Sequence, residues 1–99
     1  MTNYVLAFRG PAERTTSADD VEAWSAWFQS LGTSVIDFGH QVRNVRTLNG
    51  SSGPDSKSLV LTGYVVISAD SEESAVQLAS GCPGLASGFN VEVGEAVDA

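Results

Sequence analysis

Asp37 and His40 stand three residues apart on a short apolar stretch, and they are the side chains best suited to proton transfer. Asp37 is flanked by Ile36 and Phe38, which would strip part of the water from its carboxylate and poise it to act as a base. A carboxylate in that setting can equally serve structure, by accepting hydrogen bonds from backbone N–H groups or an arginine. His40 is the only imidazole in the chain, and a histidine exchanges its proton near neutral pH. In an extended strand an offset of three residues sends two side chains to opposite faces. The two can meet only across a bulge or turn, which Gly39 permits; otherwise His40 is an exposed histidine at a strand end.

Three further residues could hold a substrate. Arg9, at the end of an apolar stretch, offers a planar fork for a carboxylate, or pairs with an acid of its own fold. Trp24 could wall a pocket with flat apolar surface, although it and Trp27 fall at helical spacing and so also suit a core. Tyr64 could lend a phenolic proton or place its hydroxyl at a helix–sheet boundary. The lone Cys82 lies where a helix should end, and the helix dipole there opposes the thiolate, so it reads as a packed thiol. One histidine, one cysteine and scattered carboxylates do not converge as zinc requires, and the loop at Gly50 lacks the Gly-Lys-Ser/Thr of a phosphate-binding loop. The expectation is therefore no metal and no cofactor.

These residues must be positioned by a small number of elements. Residues 4–9 are rich in β-forming side chains and halt at Gly10-Pro11, a first strand. Ser17 with Asp20 opens a helix near Ala18, whose apolar face is Val21, Trp24, Trp27, Phe28 and Leu31, and Gly32 supplies its left-handed cap. A second strand starts at Val35 and runs on towards Gln41-Val42. Residues 48–56 are a loop by composition, with high mobility expected, and residues 45–47 and 58–60 beside it could extend a hairpin. Residues 59–67 form a third strand, apolar on both faces. Asp70 is expected to cap a second helix, with Glu73 three residues on, whose inner stripe is Ala75, Val76, Leu78 and Ala79; Gly81-Cys82-Pro83-Gly84 ends it. A last strand covers residues 90–93.

The order βαββαβ is the split βαβ pattern of an α+β, ferredoxin-like domain, a four-stranded antiparallel sheet with both helices on one face. At 99 residues with 42% hydrophobic content, one domain is the reading. The first and third strands are apolar on both faces, so the face without helices needs a cover, and a second copy packed sheet to sheet is the economical one. A homodimer is expected. The net charge is −7, with all five basic residues in the first 57 positions. An acidic surface repels phosphate backbones, which argues against nucleic acid or an anionic membrane as partner. No apolar run approaches a membrane span, and the N-terminus lacks the basic start and apolar stretch of a secretory signal, so a cytoplasmic protein is expected.

Several motifs taken together resemble a known family. Tyr4-Val5-Leu6 with Arg9-Gly10-Pro11, the Trp24-x-x-Trp27-Phe28-x-x-Leu31-Gly32 helix, Val35-Ile36-Asp37, Gly63-Tyr64-x-x-Ile67-x-Ala69-Asp70-Ser71, Ala75-Val76, Gly81-Cys82-Pro83 and Val91-Glu92-Val93 are similar to the YCII-related, DGPF-domain-like proteins. The resemblance spans nearly the whole chain. It implies the dimeric α/β-barrel superfamily, whose relatives include muconolactone-isomerase-like enzymes, cofactor-free monooxygenases and haem-dependent enzymes. In better-understood branches a histidine early in the first helix and an aspartate at the second strand form a proposed acid–base dyad. Asp37 matches the aspartate, but the helix region here holds Asp20, Glu22, Trp24 and Trp27 and no histidine, so the dyad is not carried over as such. Two functions follow as expectations. One is a small cofactor-free enzyme acting on a polar or carboxylated metabolite, with Asp37 as base and Arg9, His40 or Tyr64 orienting the substrate. The other is a non-catalytic dimeric domain that binds a ligand or a partner.

Overall fold

The computed structural model describes residues 2–11, 18–46 and 59–97. Strand β1 (Thr2–Pro11) alternates as its sequence demands, burying Tyr4, Leu6 and Phe8 while Val5, Ala7 and Arg9 stay half-exposed. Helix α1 (Ala18–Leu31) follows, then a 3₁₀ turn (Gly32–Ser34) that leads into strand β2 (Val35–Asp37). Strand β3 (Leu59–Ala69), helix α2 (Glu72–Ala79), a 3₁₀ helix (Pro83–Ser87) and strand β4 (Asn90–Glu95) complete the order. The sheet runs β2-β3-β1-β4 with every neighbouring pair antiparallel, an α+β arrangement consistent with ferredoxin-like topology.

Both helices contribute to one apolar cluster against one sheet face. Tyr4, Leu6, Phe8, Val65, Ile67 and Ala69 come from the strands, Trp27 and Leu31 from α1, and Ala75 and Ala79 from α2. The helices are also tied to each other, because the Trp27 indole N–H donates to the Leu78 carbonyl across 3.2 Å. Burying an indole requires such an acceptor. On the opposite face Val5, Ala7 and Val66 remain partly exposed, with no helix over them among the described residues.

Element boundaries depart from expectation in instructive places. Ser71 rather than Asp70 caps α2: its hydroxyl accepts from the Ser74 N–H at 3.1 Å, the geometry an N-cap needs. Val76 does not join the inner stripe of α2 and is exposed. Gly32 has φ +54° and ends α1 as anticipated. The chain after α2 continues into the 3₁₀ helix at Pro83, where Pro at its start fits the fixed φ of the first turn. Residues 45 and 46 lie outside any strand, so the hairpin extension does not form there. The loop expected over residues 48–56 and the Ser17 cap lie outside the described residues.

Two irregularities shape the sheet near its β2 edge. Phe8 pairs with Gly63 and Arg9 with Leu61, which leaves Thr62 as an extra residue in β3. Among the described residues Thr62 is the one buried polar side chain, and its hydroxyl donates to the Phe8 carbonyl at 3.1 Å. The bulge therefore supplies its own hydrogen bond. β2 ends at Asp37 instead of running on to Val42, because its register against β3 slips there, and the chain rejoins β3 only at a bridge between Gln41 and Gly63. No helix among the described residues is long and apolar enough to cross a membrane.

Candidate functional site

The break in β2 opens a cleft. Between the departure at Asp37 and the bridge at Gln41, the chain bows away from the sheet and leaves a cavity of about 820 Å³ between it, α1 and the bulged part of β3. That is within the range of small-molecule sites, roughly 300–1,000 Å³. Aromatic side chains from four separate segments meet there: Phe8 from β1, Trp24 and Phe28 from α1, Phe38 from the bowed segment, and Phe89 just before β4. Their rings lie edge to face for the most part, with centroids 5.1 Å apart for Phe8 and Trp24, 5.8 Å for Trp24 and Phe89, and 6.4 Å for Phe28 and Phe38. Such contacts hold each ring in place; Phe8 is buried, Trp24, Phe28 and Phe89 are half-buried and Phe38 is exposed.

Trp24 accordingly does both things expected of it, packing against the core and facing the cleft, whereas Trp27 is core alone, being only 7% exposed. His40 and Tyr64 both line the cleft and are joined to each other, with His40 Nδ1 and Tyr64 Oη 3.1 Å apart. The backbone enforces this meeting, since the Tyr64 N–H donates to the His40 carbonyl and the Val42 N–H to the Thr62 carbonyl, making His40 and Tyr64 cross-strand partners. Tyr64 alternates with buried Gly63 and Val65, which turns its side chain to the helix-free face, so the pair marks the rim of the cleft and Trp24 its interior.

The two remaining candidates are placed elsewhere. Asp37 is exposed and does not line the cleft, which overturns the expectation of a partly desolvated base; its Oδ1 accepts from the Gly39 N–H at 2.8 Å and so stabilises the turn that ends β2. Gly39 does make the expected turn, with φ +67°, but the turn directs Asp37 to the backbone and His40 to Tyr64, and no hydrogen bond joins the two. A side chain at position 39 would also press a Cβ into the Tyr64 carbonyl oxygen. Arg9 forms an ion pair with Glu92 of the neighbouring strand and takes no part in the cleft.

No family model, curated protein or solved structure matches this chain. The site is therefore described from its own geometry. Sequence reading missed Phe38, Phe89 and Arg43, all of which line the cleft. Phe38 and Phe89 carry a signal in retrospect: each is an aromatic residue outside a strand beside a glycine of positive φ, Gly39 and Gly88. Arg43 lies in a stretch without periodicity and gives none. Among the described residues no group of three or more His, Cys, Asp or Glu side chains could hold a metal.

Proposed function

We propose that this protein is a small-molecule-binding domain, a homodimer similar in kind to the YCII-related proteins, which takes its ligand between α1 and the bulged part of β3. The observation that carries this reading is the cleft itself, about 820 Å³ and walled by aromatic rings from four segments. The dimer is supported by Val5, Ala7 and Val66, apolar and half-exposed on the helix-free face. A cytoplasmic setting accords with a single cysteine, Cys82, left free and buried. The test is a fragment screen by NMR on the labelled native protein. Hits should move the Trp24 indole signal and the amides of Gln41, Thr62 and Gly63 together. Hits that cluster on the far face of the molecule, with those signals unmoved, would remove the proposal.

A second reading is favoured by the His40–Tyr64 contact, whose 3.1 Å separation gives two titratable groups one shared proton path at the cleft rim. In that reading the domain is a cofactor-free enzyme whose acid–base pair is His40 with Tyr64, in place of Asp37. His40→Gln and Tyr64→Phe should then each slow turnover of a bound metabolite by about 10²–10⁴-fold, the usual contribution of a general acid or base. Full activity in both variants rules this chemistry out.

A further inference from the structure

The cleft has a charge character unlike that of the chain around it. The protein carries twelve acidic and five basic residues. Yet among the described residues no aspartate or glutamate lines the cleft, while Arg43 and His40 do. Arg43 is exposed and forms no ion pair with any of the described residues, in contrast to Arg9, whose guanidinium is engaged by Glu92. A guanidinium with no carboxylate partner among the described residues, at the edge of a cleft with aromatic walls, is available to a carboxylate that arrives from outside. The opposite polarity is disfavoured: among the described residues a cationic ligand would meet Arg43 and no acid.

The walls define the rest of the ligand. Trp24, Phe28, Phe38 and Phe89 present flat apolar surface, beside the polar side chains of Ser25, Gln41 and Asn44, and the hydroxyl of Thr62 is committed to the Phe8 carbonyl. We propose that the cleft selects an aromatic or similarly flat carboxylic acid, the ring lying among Trp24, Phe28 and Phe89 and the carboxylate meeting Arg43. This rests on the cleft being a binding site and adds the chemical class of its ligand and the residue that recognises the charge.

Three probes share one ring system and differ in charge: 1-naphthaleneacetic acid, 1-naphthaleneethanol and 1-naphthaleneethylamine. Their dissociation constants are read from NMR titrations of the full-length protein at pH 7. The acid should bind up to about fivefold more tightly than the alcohol, the gain of one exposed ion pair, and the amine most weakly. Arg43→Gln should abolish the difference between acid and alcohol while leaving the alcohol's affinity as it was; Arg9→Gln should leave the preference intact. If alcohol and amine bind at the Trp24 signal as well as the acid does, the charge selection is wrong while the cleft stands. If none of the three moves that signal, flat aromatic ligands are excluded, and the fragment screen alone decides whether the cleft binds anything. If Arg9→Gln and not Arg43→Gln removes the preference, the recognition residue has been misassigned and the proposal fails.

Discussion

At the scale of single residues, neighbours in sequence were a poor guide to environment. Flanked by Ile36 and Phe38, Asp37 could be read as a partly desolvated base or as a structural acceptor, but in an edge strand of three residues those flanks are themselves exposed, at 56% and 67%. Its role is to accept the Gly39 N–H. Asp37→Ala should therefore lower stability by about 0.5–1.5 kcal/mol, the net value of one hydrogen bond, whereas Asp37→Asn, which keeps an acceptor oxygen, should stay closer to the parent in urea denaturation. Equal loss in both would show that the oxygen is not what matters. Cys82 was legible, because a lone thiol between Gly81 and Pro83 had no partner for other chemistry. Burial pushes its pKa up, against the opposing effect of the Gly84 and Leu85 backbone N–H groups. An unfolded chain releases that proton from about pH 8.5 while the folded chain keeps it. The stabilisation is thus complete below that pH and declines as pH rises towards the higher folded value. Cys82→Ala should flatten this part of the stability curve between pH 8 and 10, roughly the window in which the two states differ. Parallel curves for the two proteins would contradict it.

Among the elements, regular ones were readable and irregular ones were not. The alternation in β1 and β3 and the face of α1 carried enough apolar residues to overdetermine their placement, and the strand expected over residues 59–67 emerges as Leu59–Ala69. The cleft, by contrast, depends on a bulge at Thr62 and a break after Asp37, which arise from pairing between distant segments and leave no periodic trace. Each can be probed. Thr62→Val removes the buried donor to the Phe8 carbonyl and should cost about 1–3 kcal/mol, an unsatisfied acceptor being the penalty. A stability change within error would mean that the carbonyl finds water instead. Gly39→Ala meets both a left-handed φ and the Tyr64 carbonyl, so it should displace residues 38–42 and shift the Tyr64 and His40 NMR signals together. If those signals stay in place, the turn is not what holds the pair.

For the molecule as a whole, the open sheet face is the unfinished surface. Val5, Ala7 and Val66 sit near its middle, where a charge would be costly in a sheet-to-sheet interface and harmless on a free surface. Sedimentation equilibrium at micromolar concentration should give twice the chain mass for the native protein and the single mass for Val66→Lys. A native monomer overturns the dimer. The pair of tryptophans described above has one more consequence. Trp27 is sealed and hydrogen-bonded to Leu78, while Trp24 faces the cleft, so the two indoles report on different events. Emission from Trp27 should stay at short wavelength and resist acrylamide until the protein unfolds. Trp24 should account for the light that acrylamide extinguishes in the folded state, and a guest in the cleft should shield it. The chain carries one fluorophore for its folding and another for its cleft, and they can be read in the same cuvette.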